Sequence, residues 1–402
     1  TWSRGTMAPL ASRLFLVVLA LVRAFSAAAK PHYTGVLSFG DSLADTGNEL
    51  ARTGGGLASV PPYGETFFGH PTGRASDGRV VLDFIGDEMP DDLRSNSSCG
   101  SNALERPLMH TFEALGMPSP KPYFAGKTAA DFRRGVNFAY GGSTALGPEF
   151  FLSRGLRSFV PVSLANQTAW FKNVVQLAGS EQEQRKLTAT MLVMMGEMGI
   201  NDYLVAITGK LSDGEIRTFV PHIVRAIRDV VTDVIGAGAK TVVVRGMIPL
   251  GCQPQMLALF EGTGAAYSRA TGCLTRLNDL ARLHNRALMR MVLDLRRAHR
   301  GTAILYADQY DPVAAIVLSP RKYGFGDRPL AACCGGSGTY NFDSNYATFC
   351  GVAGATTCTN PSKYVSWDGI HMTDAANRHV AGAVLRSTML RQTPPTADLA
   401  SS

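Results

Sequence analysis

A serine, a histidine and an aspartate stand at positions where they can form a nucleophile and its base. The apolar run 36–39 predicts a buried strand, which stops at the tripeptide 40–42. A strand that ends in this way presents the hydroxyl of Ser42 to a ligand. Near the other terminus, Asp368 and His371 supply a carboxylate and an imidazole three residues apart. These side chains have the composition of a Ser-His-Asp relay, in which the imidazole takes the proton of the attacking hydroxyl.

Two further segments hold candidate donors for an oxyanion. The segment 135–145 contains paired glycines after a predicted strand, so the backbone N–H of Gly142 can approach a ligand closely without a neighbouring Cβ. Asn201 follows the apolar run 191–195 and can aim its amide nitrogen at developing negative charge. The N–H of Ser42 is the third candidate. Each segment taken alone also fits a turn or a cap, so the prediction depends on their combination.

The four segments occur in this order in a known family. The stretches that carry the likeness are FGDSLADTGN, GVNFAYGGSTA, GEMGINDY and WDGIHMTDAA, with RGMIPLGC and PSKYVSWDG between them. Across residues 36–390 the chain resembles the plant GDSL-type esterase/lipases of the SGNH hydrolase superfamily. The resemblance implies an enzyme without cofactor or metal, and it implies roles for five residues. Ser42 would be the nucleophile, His371 the base and Asp368 its orienting acid, while Gly142 and Asn201 would complete an oxyanion hole with the Ser42 N–H.

Apolar runs alternate with amphipathic stretches along the chain. Five runs predict strands, at 35–39, 136–140, 190–195, 241–247 and 303–306. Four stretches predict helices, at 170–178, 215–235, 265–300 and 373–390, with Asp213 and Thr373 as N-caps. The pattern indicates an α/β fold, and the resemblance makes it a three-layer α/β/α sandwich. Its centre would be a mainly parallel five-stranded sheet of the flavodoxin-like SGNH type, with ligands at the carboxyl ends of the strands. The stretch 61–78 predicts a long loop over the site.

The N-terminal residues 1–29 have the pattern of a signal peptide that follows a few upstream residues. After Met7 come an arginine, the apolar run 14–22 and the small residues 26–29, which end before Lys30. We expect residues 30–402 to form a single domain that is secreted to the apoplast or cell wall, with the vacuole as an alternative, and that has no stable membrane anchor. Removal of the three arginines in 1–29 lowers the formal net charge from +7 to about +4, which does not indicate nucleic-acid binding.

Seven cysteines favour an oxidising compartment. Cys252 and Cys273 are the predicted local pair, and the pairing within a second cluster stays open among Cys333, Cys334, Cys350 and Cys358. Cys99 is left over, and without a CxxC motif we interpret the cysteines as disulfides and not as metal ligands.

Two N-x-[ST] motifs predict glycosylation at Asn96 and Asn166. The stretch 90–118 is longer than the corresponding link in the family. A lid insertion and unspliced sequence are both open interpretations of this atypical insertion.

The sequence as a whole predicts a serine carboxylic ester hydrolase that acts through an acyl-enzyme. Short-chain or acetyl esters of plant metabolites or cell-wall polysaccharides are the expected substrates. The alternatives are an acyltransferase that uses the same acyl-enzyme, a lipase for longer chains, and a glycoprotein that binds an ester without turnover. The complete set of five residues argues against the last of these, and the oligomeric state stays open.

Overall fold

The computed structural model of the chain describes residues 33–86, 117 and 119–390. The predicted signal peptide, Asn96, Cys99 and nearly all of the insertion 90–118 lie outside the described residues.

A parallel sheet forms the centre of the described chain. Its strands are β1 (Gly35–Phe39), β2 (Lys121–Pro122), β3 (Gly135–Asn137), β4 (Met191–Met195), β5 (Thr241–Arg245) and β6 (Ala303–Ala307). They are arranged in the order β2-β3-β1-β4-β5-β6, and every neighbouring pair is parallel. The predicted α/β sandwich is confirmed, but the predicted number of five strands is wrong. The sixth strand, β2, has only two residues at the sheet edge, and so short a segment has no periodicity to detect.

The three central strands β1, β4 and β5 are buried along their whole length, because helices cover both faces of the sheet. The helices are α1 (Asn48–Thr53), α2 (Val81–Gly86), α3 (Pro148–Leu152), α4 (Leu164–Gln176), α5 (Glu181–Ala189), α6 (Ile200–Thr208), α7 (Asp213–Gly236), α8 (Pro254–Leu259), α9 (Thr275–Ala298), α10 (Tyr310–Leu318) and α11 (Asp374–Leu390). Helices α4, α7 and α9 pack together, while α2, α10 and α11 form a second group. None of the helices within the described ranges is long and apolar enough to cross a membrane.

The strand register brings the candidate site segments to one edge of the sheet. Phe39, the last residue of β1, pairs with Met195, the last residue of β4. On the other side of β1, Ser38 pairs with Asn137 at the end of β3. The chain segments that contain Ser42, Gly142 and Asn201 therefore leave the sheet side by side, at the edge where parallel α/β sheets bind their ligands.

The helix boundaries differ from the predictions where local hydrogen bonds and loops decide them. Thr373 caps α11 as predicted, because its Oγ1 accepts the N–H of Ala376 at 3.2 Å. Asp213 is the first helical residue of α7 and not its N-cap. The cap is Ser212, whose Oγ accepts the N–H of Glu215. Helix α9 begins at Thr275, ten residues later than the predicted stretch, because the chain before it forms a loop.

Three disulfides tie down the loops beside the site. They join Cys252 to Cys273, Cys333 to Cys358 and Cys334 to Cys350. The backbone N–H of Cys334 donates to the carbonyl of Trp367 at 2.7 Å, and Trp367 is fully buried. The disulfide-linked segment therefore holds the chain immediately before Asp368.

Candidate active site

The turn after β1 fixes the position of Ser42. The Asp41 carboxylate accepts the N–H of Leu43 at 2.9 Å. The Asp41 carbonyl accepts the N–H groups of Ala44 and Asp45. The buried side chain of Gln167 holds Gly40 from both sides: its Oε1 accepts the Gly40 N–H and its Nε2 donates to the Gly40 carbonyl. Ser42 itself remains partly exposed at the end of this tightly held turn.

The structure brings the three predicted relay residues into one chain of hydrogen bonds. The Nε2 of His371 lies 2.7 Å from the Oγ of Ser42, although 329 positions separate them in sequence. On the other side of the ring, Nδ1 lies 2.7 Å from Oδ2 of Asp368. Both Asp368 and His371 are buried, with exposed fractions of 0% and 3%. The imidazole is therefore held between a carboxylate and a hydroxyl, as a base for that hydroxyl requires.

A turn ahead of α11, and not a helix, holds Asp368 and His371 together. Oδ1 of Asp368 accepts the N–H groups of Ile370 and His371 at 2.9 and 2.8 Å. Oδ2 also accepts the phenolic O–H of buried Tyr63 at 2.8 Å. Sequence reasoning missed Tyr63, which lies in the predicted loop 61–78. The available signal was a tyrosine in a loop expected over the site, since buried tyrosines generally find a hydrogen-bond partner.

The charge of Asp368 keeps the His371 imidazole protonated to higher pH than an ordinary histidine. Burial alone would lower the pKa of His371, but the charge and hydrogen bond of Asp368 raise it above its usual value, with smaller contributions from Asp41 and Glu49. Burial acts to raise the pKa of Asp368. Its interactions with His371 and the two backbone N–H groups nevertheless hold that pKa below its ordinary range. The carboxylate is thus ionised when the imidazole accepts a proton.

Three donors surround the space next to Ser42. Asn201 is the second residue of α6, and its Nδ2 donates to the Ser143 carbonyl at 2.9 Å. Gly142 has φ +74°, a conformation that favours glycine, and a Cβ there would approach the Val160 side chain to 3.3 Å. The N–H groups of Ser42 and Gly142 make no hydrogen bond to another described residue. They are therefore available to a ligand. The Asn201 amide makes a second, longer contact of 3.4 Å to Oδ2 of Asp41.

A network of buried polar side chains supports these donors. Asp45 accepts four backbone N–H groups, including that of Gly141 at 2.9 Å. Asp202 accepts the N–H groups of Ala145 and Leu146, and its burial raises its pKa to about 7. The sequence motifs contain both aspartates, but they give no reason to pair them with the amides of Gly141, Ala145 and Leu146, because these contacts join distant segments. Asp45 thus fixes the glycine loop, residues 141–146, against the turn that contains Ser42, and Asp202 fixes the same loop against α6.

The relay opens onto a cavity of about 310 Å³. Besides Ser42 and His371, its lining is mostly apolar, with Leu57, Phe159 and Leu204 among the contributing side chains. Gly73 and Ala75 of the predicted loop 61–78 also line it. The described residues contain no group of three or more His, Cys, Asp or Glu side chains placed to hold a metal ion.

A parallel sheet with a serine, a histidine and an aspartate joined at its carboxyl edge defines a serine hydrolase. Residues 36–384 match the GDSL-like lipase/acylhydrolase family model, and the chain belongs to this family. It is 38% identical over 360 residues to a GDSL esterase/lipase of Arabidopsis thaliana, covering 88% of this chain and 84% of that relative. It is 40% identical over 360 residues to a sinapine esterase of Brassica napus, covering 88% and 85% of the two chains. The protein is therefore an enzyme that hydrolyses ester bonds.

Proposed function

We propose that the protein hydrolyses carboxylic esters through an acyl-enzyme on Ser42. In the first half-reaction, Oγ of Ser42 attacks the ester carbonyl while His371 Nε2 takes its proton, which then passes to the departing alcohol. Water attacks the acyl-enzyme in the second half, again giving its proton to His371, and the free acid leaves. The observation that supports this most directly is the pair of 2.7 Å hydrogen bonds from Ser42 through His371 to Asp368.

In this mechanism the tetrahedral oxyanion accepts hydrogen bonds from three donors. They are the N–H groups of Ser42 and Gly142 and the side-chain amide of Asn201. The negative charge develops only as the carbonyl is attacked, so donors held in place beforehand stabilise the transition state more than the bound ester.

The substrate class that we infer is a short-chain or acetyl ester of a plant metabolite or a cell-wall polysaccharide. A cavity of about 310 Å³ is at the small end for ligand sites, which favours a short acyl group. The relative named sinapine esterase adds sinapine as a substrate to test.

A panel of esters tests this assignment. Nitrophenyl acetate, butyrate and palmitate, acetylated xylan and sinapine are compared by kcat/KM, with the released acid identified by mass spectrometry. We expect acetate and butyrate to exceed palmitate by at least about tenfold, a difference of about 1.4 kcal/mol in transition-state binding. A preference for palmitate would refute the short-chain assignment. A new ester in place of free acid, with an alcohol present, would identify the transferase alternative.

The raised pKa of His371 predicts the pH profile on a neutral ester. Protonated His371 cannot accept the Ser42 proton, so kcat/KM for nitrophenyl acetate should rise with pH as this group loses its proton. Because Asp368 raises the pKa, the midpoint should lie above the ordinary histidine value of about 6.5. Initial rates from about pH 5 to about pH 9 measure it. A flat profile across this range would exclude His371 as the base.

Replacement of Asn201 by alanine should lower kcat by about a hundredfold to a thousandfold, because one oxyanion donor is lost. KM should change much less, since the donor acts mainly in the transition state. Steady-state kinetics on nitrophenyl acetate measure both constants. Asn173→Ala, at an exposed position of α4, is the matched control and should retain wild-type kcat. Equal kcat in the two variants would remove Asn201 from the oxyanion hole.

We also infer that the enzyme is secreted and glycosylated. Support comes from the leader-like residues 1–29, the three disulfides and the exposed position of Asn166. N-terminal sequencing of protein collected outside plant cells, before and after glycosidase treatment, tests both points. Recovery only inside the cell with residues 1–29 attached would contradict secretion.

A further inference from the structure

Glu49 places an uncompensated carboxylate in the wall of the catalytic cavity. It is the second residue of α1 and lines the same cavity as Ser42 and His371. Its Oε2 lies beside the glycine loop, since a Cβ built on Gly141 would stand only 2.8 Å from it. The carboxylate accepts no hydrogen bond from, and forms no ion pair with, any other residue that the structure describes.

The neighbouring charged groups are already engaged elsewhere. Asp45, four residues earlier in the turn before α1, is compensated by four backbone N–H groups. Arg52 lies on α1 as well, but its guanidinium stands over the rings of Phe124 and Tyr140, at 5.4 and 5.5 Å from their centroids. The described residues that line the cavity include no lysine and no arginine. Apart from His371, which is paired with Asp368, Glu49 therefore has no cationic partner among the described residues that line the cavity.

The remaining walls suit a weakly hydrated cation. Tyr346 and Phe159 contribute aromatic rings, and Leu57 contributes an apolar side chain. The Tyr346 phenol oxygen is held by Nε2 of Gln255 at 2.5 Å, which fixes this ring in the wall. Aromatic faces attract quaternary ammonium groups, and a nearby carboxylate adds to this attraction.

We propose that Glu49 binds a positively charged ammonium group of the substrate, so that the enzyme prefers cationic esters over neutral esters of the same shape. This inference rests on the proposed ester hydrolysis at Ser42 and names a substrate class for that site. The ammonium group would neutralise Glu49 and occupy the cavity between the carboxylate and the aromatic walls.

The charge state of Glu49 makes this preference depend on pH. Burial, and then the charge of Asp45, raise the pKa of Glu49 to about 7, while His371 opposes the shift. Arg52 and the Tyr140 phenol also lie near α1, and the Arg74 guanidinium donates to the Thr46 carbonyl just before it. Glu49 is thus largely neutral well below pH 7 and charged above it, whereas a quaternary ammonium is charged throughout. Selectivity for the cationic ester should therefore rise as pH increases through this range.

The test compares acetylcholine with 3,3-dimethylbutyl acetate, in which carbon replaces the quaternary nitrogen. The ratio of their kcat/KM values isolates the charge, because titration of His371 affects both esters alike. We expect this ratio to rise with pH in the wild type. We expect Glu49→Gln to lower it by about tenfold, the size of a charge contact partly open to solvent, and to remove its pH dependence. Glu181→Gln, exposed on α5, is the matched control and should retain the wild-type ratio.

Binding of choline, measured by NMR titration, gives a second result that needs no turnover. We expect it to weaken several-fold in Glu49→Gln. If the wild type hydrolyses neither ester but binds choline through Glu49, the hydrolase proposal fails and the cation site stands. If Glu49→Gln retains both the wild-type ester ratio and the wild-type affinity for choline, the cation site is refuted.

Discussion

Replacing Ser42 with alanine should lower kcat on every ester by about a millionfold, the cost of losing the nucleophile of a serine hydrolase relay. His371 Nε2 lies 2.7 Å from Ser42 Oγ, so the imidazole is placed to activate this hydroxyl. Binding of the ester should change little, because the Ser42 and Gly142 N–H groups and the Asn201 amide remain. Single-turnover kinetics on nitrophenyl acetate separate these two steps.

Ser153→Ala is the matched control for this experiment, since Ser153 is exposed at the end of α3 and does not line the cavity. It should retain wild-type kcat. Thermal unfolding of both variants establishes that each is folded. A folded Ser42→Ala protein with kcat within tenfold of wild type would show that another group attacks the ester.

Changing Asp368 to asparagine should lower kcat by about ten-thousandfold while preserving the shape of the site. Oδ2 of Asp368 accepts from both His371 Nδ1 and the Tyr63 hydroxyl. An amide in this position offers N–H to the ring or to Tyr63, so the imidazole loses the partner that keeps Nε2 free to take a proton.

The same substitution has a second, independent result. The Asp368 charge raises the pKa of His371, so its removal should move the rising limb of residual activity to lower pH. Asp229→Asn, exposed on α7, controls for the change of charge. It should change neither kcat nor the pH at which activity rises. If Asp368→Asn has near-normal kcat and its activity rises at the wild-type pH, Asp368 does not act on His371.

The central strands were predictable from sequence because burial on both faces makes them continuously apolar. The run 241–247 is an example, since its first five residues form β5. Strand β2 was not predictable, because its two residues join the sheet only through tertiary contact with β3. The start of α9 was also missed. Residues 265–274 have helical composition, but they form a loop that donates a hydrogen bond to Gly251 and that a disulfide links, through Cys273, to Cys252.

For the site, the sequence named the residues that carry chemical groups but not those that hold them. Ser42, His371 and Asn201 stand in recognisable segments. Gln167, by contrast, lies in an ordinary amphipathic helix, and nothing local indicates that it bonds Gly40 across 127 positions. The pairing of the adjacent Cys333 and Cys334 was equally undetermined, because either thiol is close in sequence to both possible partners. Glu49 was missed because its proposed role depends on the lack of lysine and arginine among the described residues of the cavity, which only the folded chain shows.

Covalent labelling with a fluorophosphonate, followed by peptide mapping in a mass spectrometer, tests the central assignment most directly. The reagent reacts with a serine activated by a neighbouring base. We predict one equivalent of label per active molecule, located on Ser42, with loss of esterase activity in proportion to labelling. The Ser42→Ala protein should take up none. A folded, active enzyme that takes up no label, or that takes it up at another residue, would contradict the account.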